Sequence, residues 1–389
     1  MSKDYGQAHI ASDTLALARQ LIARRSITPS DEGCLALIES RLQPRGFRCE
    51  RIAREGIGNL WARYGSQAPL VCFAGHVDVV PTGPVEEWSV PPFDGVERGG
   101  FLFGRGAADM KVSVAAMTTA AERVVASLGQ GAGSVALLLT ADEEGDALHG
   151  TTAVVDALTA RSERIDYCVV GEPTSAGRFG DTLKNGRRGS LSGHLRVKGV
   201  QCHVAYPERG RNPIHQAAPA LAELSATEWD RGNDYFGPTT FQVSNIHAGT
   251  GAPNVVPGLL DVQFNLRFSP ESPAAALRER IQGVLDRHGL EYDIQWTVSA
   301  EPFLTPAGAL VDAVRSAVAD VTGVTPTLST SGGTSDGRFL SKVAGQVVEF
   351  GPMNDTIHKI DECVAIGDIA PLSTIYERVA RTLLRLEPV

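Results

Sequence analysis

The sequence contains no run approaching the roughly 20 apolar residues needed to span a bilayer. Its opening segment, MSKDYGQAHIASD, lacks the apolar core of an export signal. The expectation is a cytoplasmic protein with no membrane partner. Its six cysteines (Cys34, Cys49, Cys72, Cys168, Cys202 and Cys363) form no CxxC pair and no regular framework, which fits a reduced protein. Basic residues are not in excess. Lys and Arg number 36 against 45 Asp and Glu, a formal net charge of -9. That balance argues against non-specific binding to nucleic acid or anionic lipid. There is no GxSxG elbow and no Walker A loop, so serine-triad and nucleotide-hydrolysing mechanisms lose support. The glycine-rich GQGAGS (129–134) precedes an apolar strand run instead of following one, so it is no dinucleotide fingerprint. Internal repeats and low-complexity tracts are also absent.

What is present describes an ordinary globular chain. Its 389 residues are long for one core and imply two domains. Apolar residues make up 43% and charged residues 21%, within the normal range. Within this acidic chain, DTLKNGRRGS (181–190) is a basic island that can serve an anionic substrate.

Apolar spacing predicts helices over DTLALARQLIARRSI, with Ser12 or Asp13 as N-cap, and over CLALIESRLQPRG, stopped by Pro44 and Gly46. NLWARYG, PLVCFAGHVDVVP, SVALLLTADEEG and IDYCVVGEP read as strands, with VSVAAMTTAAERVVASL as a helix among them. This alternation implies an α/β fold with a mostly parallel sheet flanked by helices. In such sheets chemistry gathers past the carboxyl ends of the strands, where His76, Glu143, Glu144 and Glu172 all fall. From about residue 188 the pattern changes. SLSGHLRVKGVQCHVAYP and LLDVQFNLRFSP alternate apolar with polar residues, as half-buried antiparallel strands do. Helix candidates NPIHQAAPALAELSA and SPAAALRERIQGVLDRHG accompany them. The predicted organisation is a catalytic domain over 1–188 and 302–389, with an inserted α+β domain over 189–301.

Several segments offer chemistry, each beside a plainer reading. In AGHVDVVP, His76 and Asp78 share a strand face, as a ligand and its orienting acid do, or as a histidine bonded to a nearby acid does. Asp109 of GRGAADMK is either a helix cap or a ligand. The acids of TADEEG end an apolar strand, where crowded carboxylates favour a cation, although a solvated loop is the common explanation. Adjacent glutamates there can divide labour between ligation and proton transfer. Glu172 of VVGEPT reads as a loop acid or a ligand, His358 of NDTIHKIDE as a surface histidine or a ligand, and His203 of QCHVAYP as a packed or a functional imidazole. STSGGTSDGRF (329–339) is a flexible turn or a set of N–H groups around a carboxylate. His9, His149, His194, His215, His247 and His288 carry no partner signal and read as structural or exposed.

Taken together, His76, Asp109, Glu144, Glu172 and His358 are two imidazoles and three carboxylates, a set suited to two zinc ions with one carboxylate bridging. At this point the chain resembles a known family. AGHVDVVP, GRGAADMK, TADEEG, GEPT and TIHK stand in the order found in dinuclear zinc aminoacylases and carboxypeptidases. Within that group, GRRGSLSGHLRVKGVQCHVAYP, STSGGTSDGRF and VVEFGPMNDTIHKIDE are similar to the succinyl-diaminopimelate desuccinylases, across roughly residues 12 to 385.

The resemblance implies two Zn2+ per subunit, with Co2+ able to substitute. His76 and Glu172 would hold one ion, Glu144 and His358 the other, with Asp109 shared and Asp78 orienting His76. Glu143 would be the general base, and His203 of the partner subunit would stabilise the oxyanion, in a homodimer formed through the insertion. Lys184, Arg187, Tyr206, Asn254, Arg267, Thr334 and Asn354 would bind the carboxylates of a small substrate. The implied reaction is hydrolysis of N-succinyl-LL-diaminopimelate to succinate and LL-diaminopimelate, in the route to diaminopimelate and lysine. The alternative is a related N-deacylase or peptidase, of acetylornithine deacetylase type. A non-catalytic binding protein on the same fold would have lost ligands or base, and all are present. The chain departs from the family pattern at Cys202, where glycine usually precedes the histidine, at Val112 and at Asp355.

Overall fold

The computed structural model describes residues 2–129 and 131–387, with backbone alone for residues 2–9. Gln130 of GQGAGS and the His9 side chain lie outside the described residues. The chain divides into two units: Met1–Gly186 with Leu304–Ser329 and Ser335–Val389, and Arg187–Phe303 with Thr330–Thr334.

The first unit is built on an eight-stranded sheet. Its central strands, Ser134–Thr140, Leu70–His76, Ile165–Val170 and Ala344–Glu349, pair in parallel. Antiparallel Ile57–Tyr64 and Arg48–Arg54 flank them on one side. Every residue of Leu70–His76 and of Ser134–Thr140 is buried, as expected of strands covered on both faces. One face packs on the helices Val112–Ser127, Ala309–Thr322 and Ile366–Leu383 through Phe73, Val114, Leu137, Val314 and Tyr376, among others. The last of these helices is absent from the sequence reading. Its spacing of Ile369, Leu372, Ile375, Tyr376, Val379 and Leu383 is helical, and all six are buried.

One expectation fails. The first helix runs unbroken over Ser2–Ile22, so Ser12 and Asp13 sit inside it and cap nothing. Asp13 serves a tertiary contact instead. Its carboxylate takes two hydrogen bonds from Arg41, at 3.1 and 2.8 Å, and Arg41 also pairs with Glu122.

The second unit has a four-stranded antiparallel sheet in the order Thr240–Ala248, Leu259–Phe268, Gly189–Lys198, Tyr292–Ala300. Strict alternation puts Leu260, Val262, Phe264, Leu266 and Phe268 on one face. There they meet the helices Pro213–Ala226 and Ala274–Arg287 through Ala217, Ala220, Leu224, Leu277 and Ile281. The glycines of this sheet have a packing role. Gly193 pairs with Phe264 and Gly189 with Phe268, and each phenylalanine ring lies over its glycine, in the space a Cβ would fill. The Phe264 ring also meets Trp296 edge-on, at 5.6 Å between centroids. Gly193→Ala should therefore overpack this unit and destabilise it by about 1–3 kcal/mol. Denaturant unfolding followed by tryptophan fluorescence measures the effect.

Candidate metal centre

Three parallel strands deliver acids and an imidazole to one sheet edge. Leu70–His76 ends on His76, Ser134–Thr140 leads into Asp142, Glu143 and Glu144, and Ile165–Val170 leads into Glu172. Asp109 comes from the segment preceding the Val112–Ser127 helix, and His358 from a turn in which its own φ is +60°. A left-handed histidine is uncommon, and such backbone is held where side-chain placement demands it.

The five side chains meet. His76, Asp109 and Glu172 offer ligand atoms all within 4.8 Å of one another, and so do Asp109, Glu144 and His358. Asp109 belongs to both groups. Its Oδ1 lies 3.1 Å from His76 Nε2 and its Oδ2 lies 3.4 Å from His358 Nε2. His358 Nε2 is 3.1 Å from Glu144 Oε1, and His76 Nε2 is 3.9 Å from Glu172 Oε1.

The electrostatics fit a cation. Burial pushes the Glu172 carboxyl well above its ordinary range, and the neighbouring charges of Asp109 and Glu143 push it further. Glu143 is raised in the same way by burial, with Asp336, Glu144 and Asp109 adding to the effect. His358 is pushed up to about 10 by its hydrogen bonds to Asp109 and Glu144. Acids crowded this closely demand positive charge, and nitrogen with oxygen donors in this ratio suits zinc or a similar ion.

Asp78 stands behind the cluster, fully buried. His76 Nδ1 hydrogen-bonds the main-chain carbonyl of Asp78 at 2.9 Å, whereas the carboxylate is 3.7 Å away. That carboxylate instead accepts the N–H groups of Glu143, at 3.3 Å, and Glu144, at 3.1 Å. Asp78 thus fixes the turn that carries the two glutamates, while its backbone fixes the imidazole.

The remaining expected site residues divide between the units. In the first, Lys184 is buried and donates to Ser329 Oγ at 3.0 Å, and Asn354 is half-buried, its N–H bonded to Ser175 O. In the second, Arg187 is buried and donates to the carbonyls of Ser331 and Gly333, at 3.1 and 3.2 Å. Carbonyls of the STSGGTSDGRF segment thus engage a guanidinium. His203 and Tyr206 are exposed, with ring centroids 5.8 Å apart, and Asn254 O accepts the Val204 N–H beside them. Cys202 Sγ lies against Gly210. Arg267 and Thr334 are half-buried. Of the other histidines, His194 pairs with Asp261 at 2.6 Å and His288 with Glu223 at 2.7 Å. Arg105 and Glu362, absent from the sequence reading as site residues, lie buried behind Asp109; their only signal is their place within GRGAADMK and NDTIHKIDE.

The family model for peptidase family M20/M25/M40 matches residues 72–382. The chain belongs to this peptidase family. Its M20 relatives include the succinyl-diaminopimelate desuccinylase of Aromatoleum aromaticum, 62% identical over 371 residues, which cover 95% of this chain and 97% of that protein. The desuccinylase of the same name from an Azoarcus species is 61% identical over 95% of this chain and 98% of its own. Among solved structures, an M20 metallo-carboxypeptidase from Sulfolobus solfataricus aligns with a TM-score of 0.79 at 17% identity, over 96% of this chain and all (100%) of that one. A dinuclear metal-binding M20 peptidase from Bacillus subtilis aligns at 0.74 with 15% identity, over 98% and 100%. At those identities the likeness is one of fold.

Because Asp78 holds the Glu143–Glu144 turn, Asp78→Asn should weaken retention of a divalent ion by about 10–100-fold. Metal remaining after dialysis against a graded chelator series measures it.

Proposed function

We propose that this M20 protein removes the succinyl group from N-succinyl-LL-diaminopimelate, releasing succinate and LL-diaminopimelate, in diaminopimelate and lysine biosynthesis. The observation that carries the reading is the meeting of His76, Asp109, Glu144, Glu172 and His358 around a shared carboxylate, with Glu143 beside it. Relatives near 60% identity that carry the desuccinylase name support the substrate.

In this reading His76 and Glu172 would hold one zinc ion and Glu144 and His358 a second, with Asp109 as a ligand available to both. When bound, the ions supply Lewis acidity at the amide carbonyl and at the attacking water. Glu143 is the general base. Burial and like-charged neighbours lift its carboxyl, and a raised pKa equips a carboxylate to take a proton from water and pass it to the departing amine. The exposed His203 imidazole of the second unit would donate to the tetrahedral oxyanion from the partner subunit of a homodimer. Lys184, Arg187, Tyr206, Asn254, Arg267, Thr334 and Asn354 would pair with substrate carboxylates.

The homodimer reading rests on the edge strand Thr240–Ala248. Among the described residues it has no strand on its outer side in the four-stranded sheet, and Val243 and Ile246 are exposed at 39% and 54%. Six free cysteines support a reducing, cytoplasmic setting. Among the described residues no helix is long and apolar enough to cross a membrane.

Three outcomes are expected. Glu143→Ala should keep its metal and lose about 10³–10⁴-fold in kcat, measured on metal-quantified protein. Succinyl-diaminopimelate should be hydrolysed far faster than acetylornithine, with chelation abolishing both activities; equal or better acetyl turnover overturns the substrate assignment. Ile246→Asp should shift the protein to monomer in analytical ultracentrifugation.

A further inference from the structure

We propose that Glu362 is a positioning residue for the metal cluster. Its carboxylate locks together the two loops that carry Asp109 and His358, and so sets the affinity of the Asp109–Glu144–His358 position. The inference rests on the metal reading above.

The five donors differ in what supports them. His76 ends a fully buried strand, and Glu172 stands two residues beyond another. Asp109 and His358 have no strand beneath them, and Glu362 provides their support. This residue is 1% exposed. Its Oε1 accepts the N–H groups of Ala108, at 2.9 Å, and Asp109, at 3.0 Å. Its Oε2 accepts the Gly106 N–H at 2.9 Å and Arg105 Nη1 at 2.7 Å. The main-chain carbonyl of Glu362 takes the Gly104 N–H at 2.9 Å. Arg105, 2% exposed, also donates to the carbonyl of Lys359, the residue after His358, at 3.2 Å. Its guanidinium lies 5.2 Å from the Trp88 ring centroid.

A carboxylate offers about four lone-pair sites, and all of them are used here. Removing one partner of such a buried pair is costly, yet the pair as a whole adds little over apolar packing, so what it contributes is geometric. Glu362 holds the Asp109 backbone at the angle that turns Oδ1 toward His76 and Oδ2 toward His358. Through Arg105 it fixes the His358 turn to the same frame. His76 and Glu172 keep their strand supports without it. Asp109 serves both positions and His358 only one, so loss of Glu362 should fall harder on the Asp109–Glu144–His358 position.

The test titrates metal-free wild type and Glu362→Gln with zinc against a chromophoric chelator, repeats the titration with Co2+ while recording visible absorption, and compares thermal unfolding of the metal-free forms. Glutamine keeps the shape but turns one acceptor into a donor facing N–H groups. Expected is one ion weakened about 10–100-fold and the other less, with a lowered metal-free unfolding temperature because the buried Arg105 loses its charge partner. Two ions at wild-type affinity, or equal weakening of both, would overturn the proposal. If Glu362→Gln fails to fold, Arg105→Lys replaces it, keeping the charge and losing the Lys359 link. There a milder, roughly 3–10-fold weakening of the same ion is expected, and no change or equal weakening of both ions counts against the idea. Wild type that binds no zinc would instead remove the metal reading itself.

Discussion

Four carboxyl groups, of Asp109, Glu143, Glu144 and Glu172, crowd the end of a buried sheet, and that repulsion is the constraint the rest of the first unit answers. Burial and like-charged neighbours raise the carboxyls of Glu143 and Glu172, whereas Asp109, although buried, is held below the ordinary carboxylate range by His358 and His76. Only nearby positive charge relieves them. The imidazoles of His76 and His358 face Asp109 from two sides, and the Asp78 carboxylate is kept busy by the N–H groups of Glu143 and Glu144. Divalent ions among these donors would turn the repulsion into ligation.

The scaffold meets this demand by two routes. Strand ends give rigid placement at low conformational cost, because the parallel ladder through Leu70–His76 and Ile165–Val170 fixes the backbone along both strands. Loops give reach but need bracing. The bracing here is polar, through Glu362 and Arg105, in a region where backbone N–H groups would otherwise be buried without partners. One carboxylate thus satisfies the helix approach and aims a ligand.

Legibility in the sequence follows the same division. His76, Glu143, Glu144 and Glu172 are readable because apolar runs end in polar residues, and a parallel sheet gathers such ends at one edge. Asp109 and His358 have no such signal: a cap and a surface histidine explain them equally well, and only the resemblance joins them to the set. The Arg105–Glu362 pair spans 257 residues, and no local pattern predicts it. Asp13 shows the reverse error. It looks like a helix cap by residue type, yet its carboxylate is claimed by Arg41 of another helix, a tertiary contact that overrides the local preference. The Ile366–Leu383 helix is open to the same spacing argument that locates the others.

Net charge tells little about the ligand. A chain at -9 would repel a polyanionic substrate if its charge were spread evenly. It is not: Lys184 and Arg187 are buried cations close together in sequence, Arg267 is half-buried, and each is held by neighbouring groups. Burying a cation is costly unless it is paired, so buried cations mark positions where an anion or carbonyl is required. Carbonyls of Ser331 and Gly333 satisfy part of the Arg187 guanidinium, which fixes its plane. A fixed guanidinium discriminates by geometry, accepting a planar carboxylate in bidentate fashion. An acetyl group brings no carboxylate for a guanidinium to accept in that fashion. Discrimination by a hydrogen-bonding partner is much stronger than discrimination by size alone. That is the physical reason behind the succinyl reading proposed above.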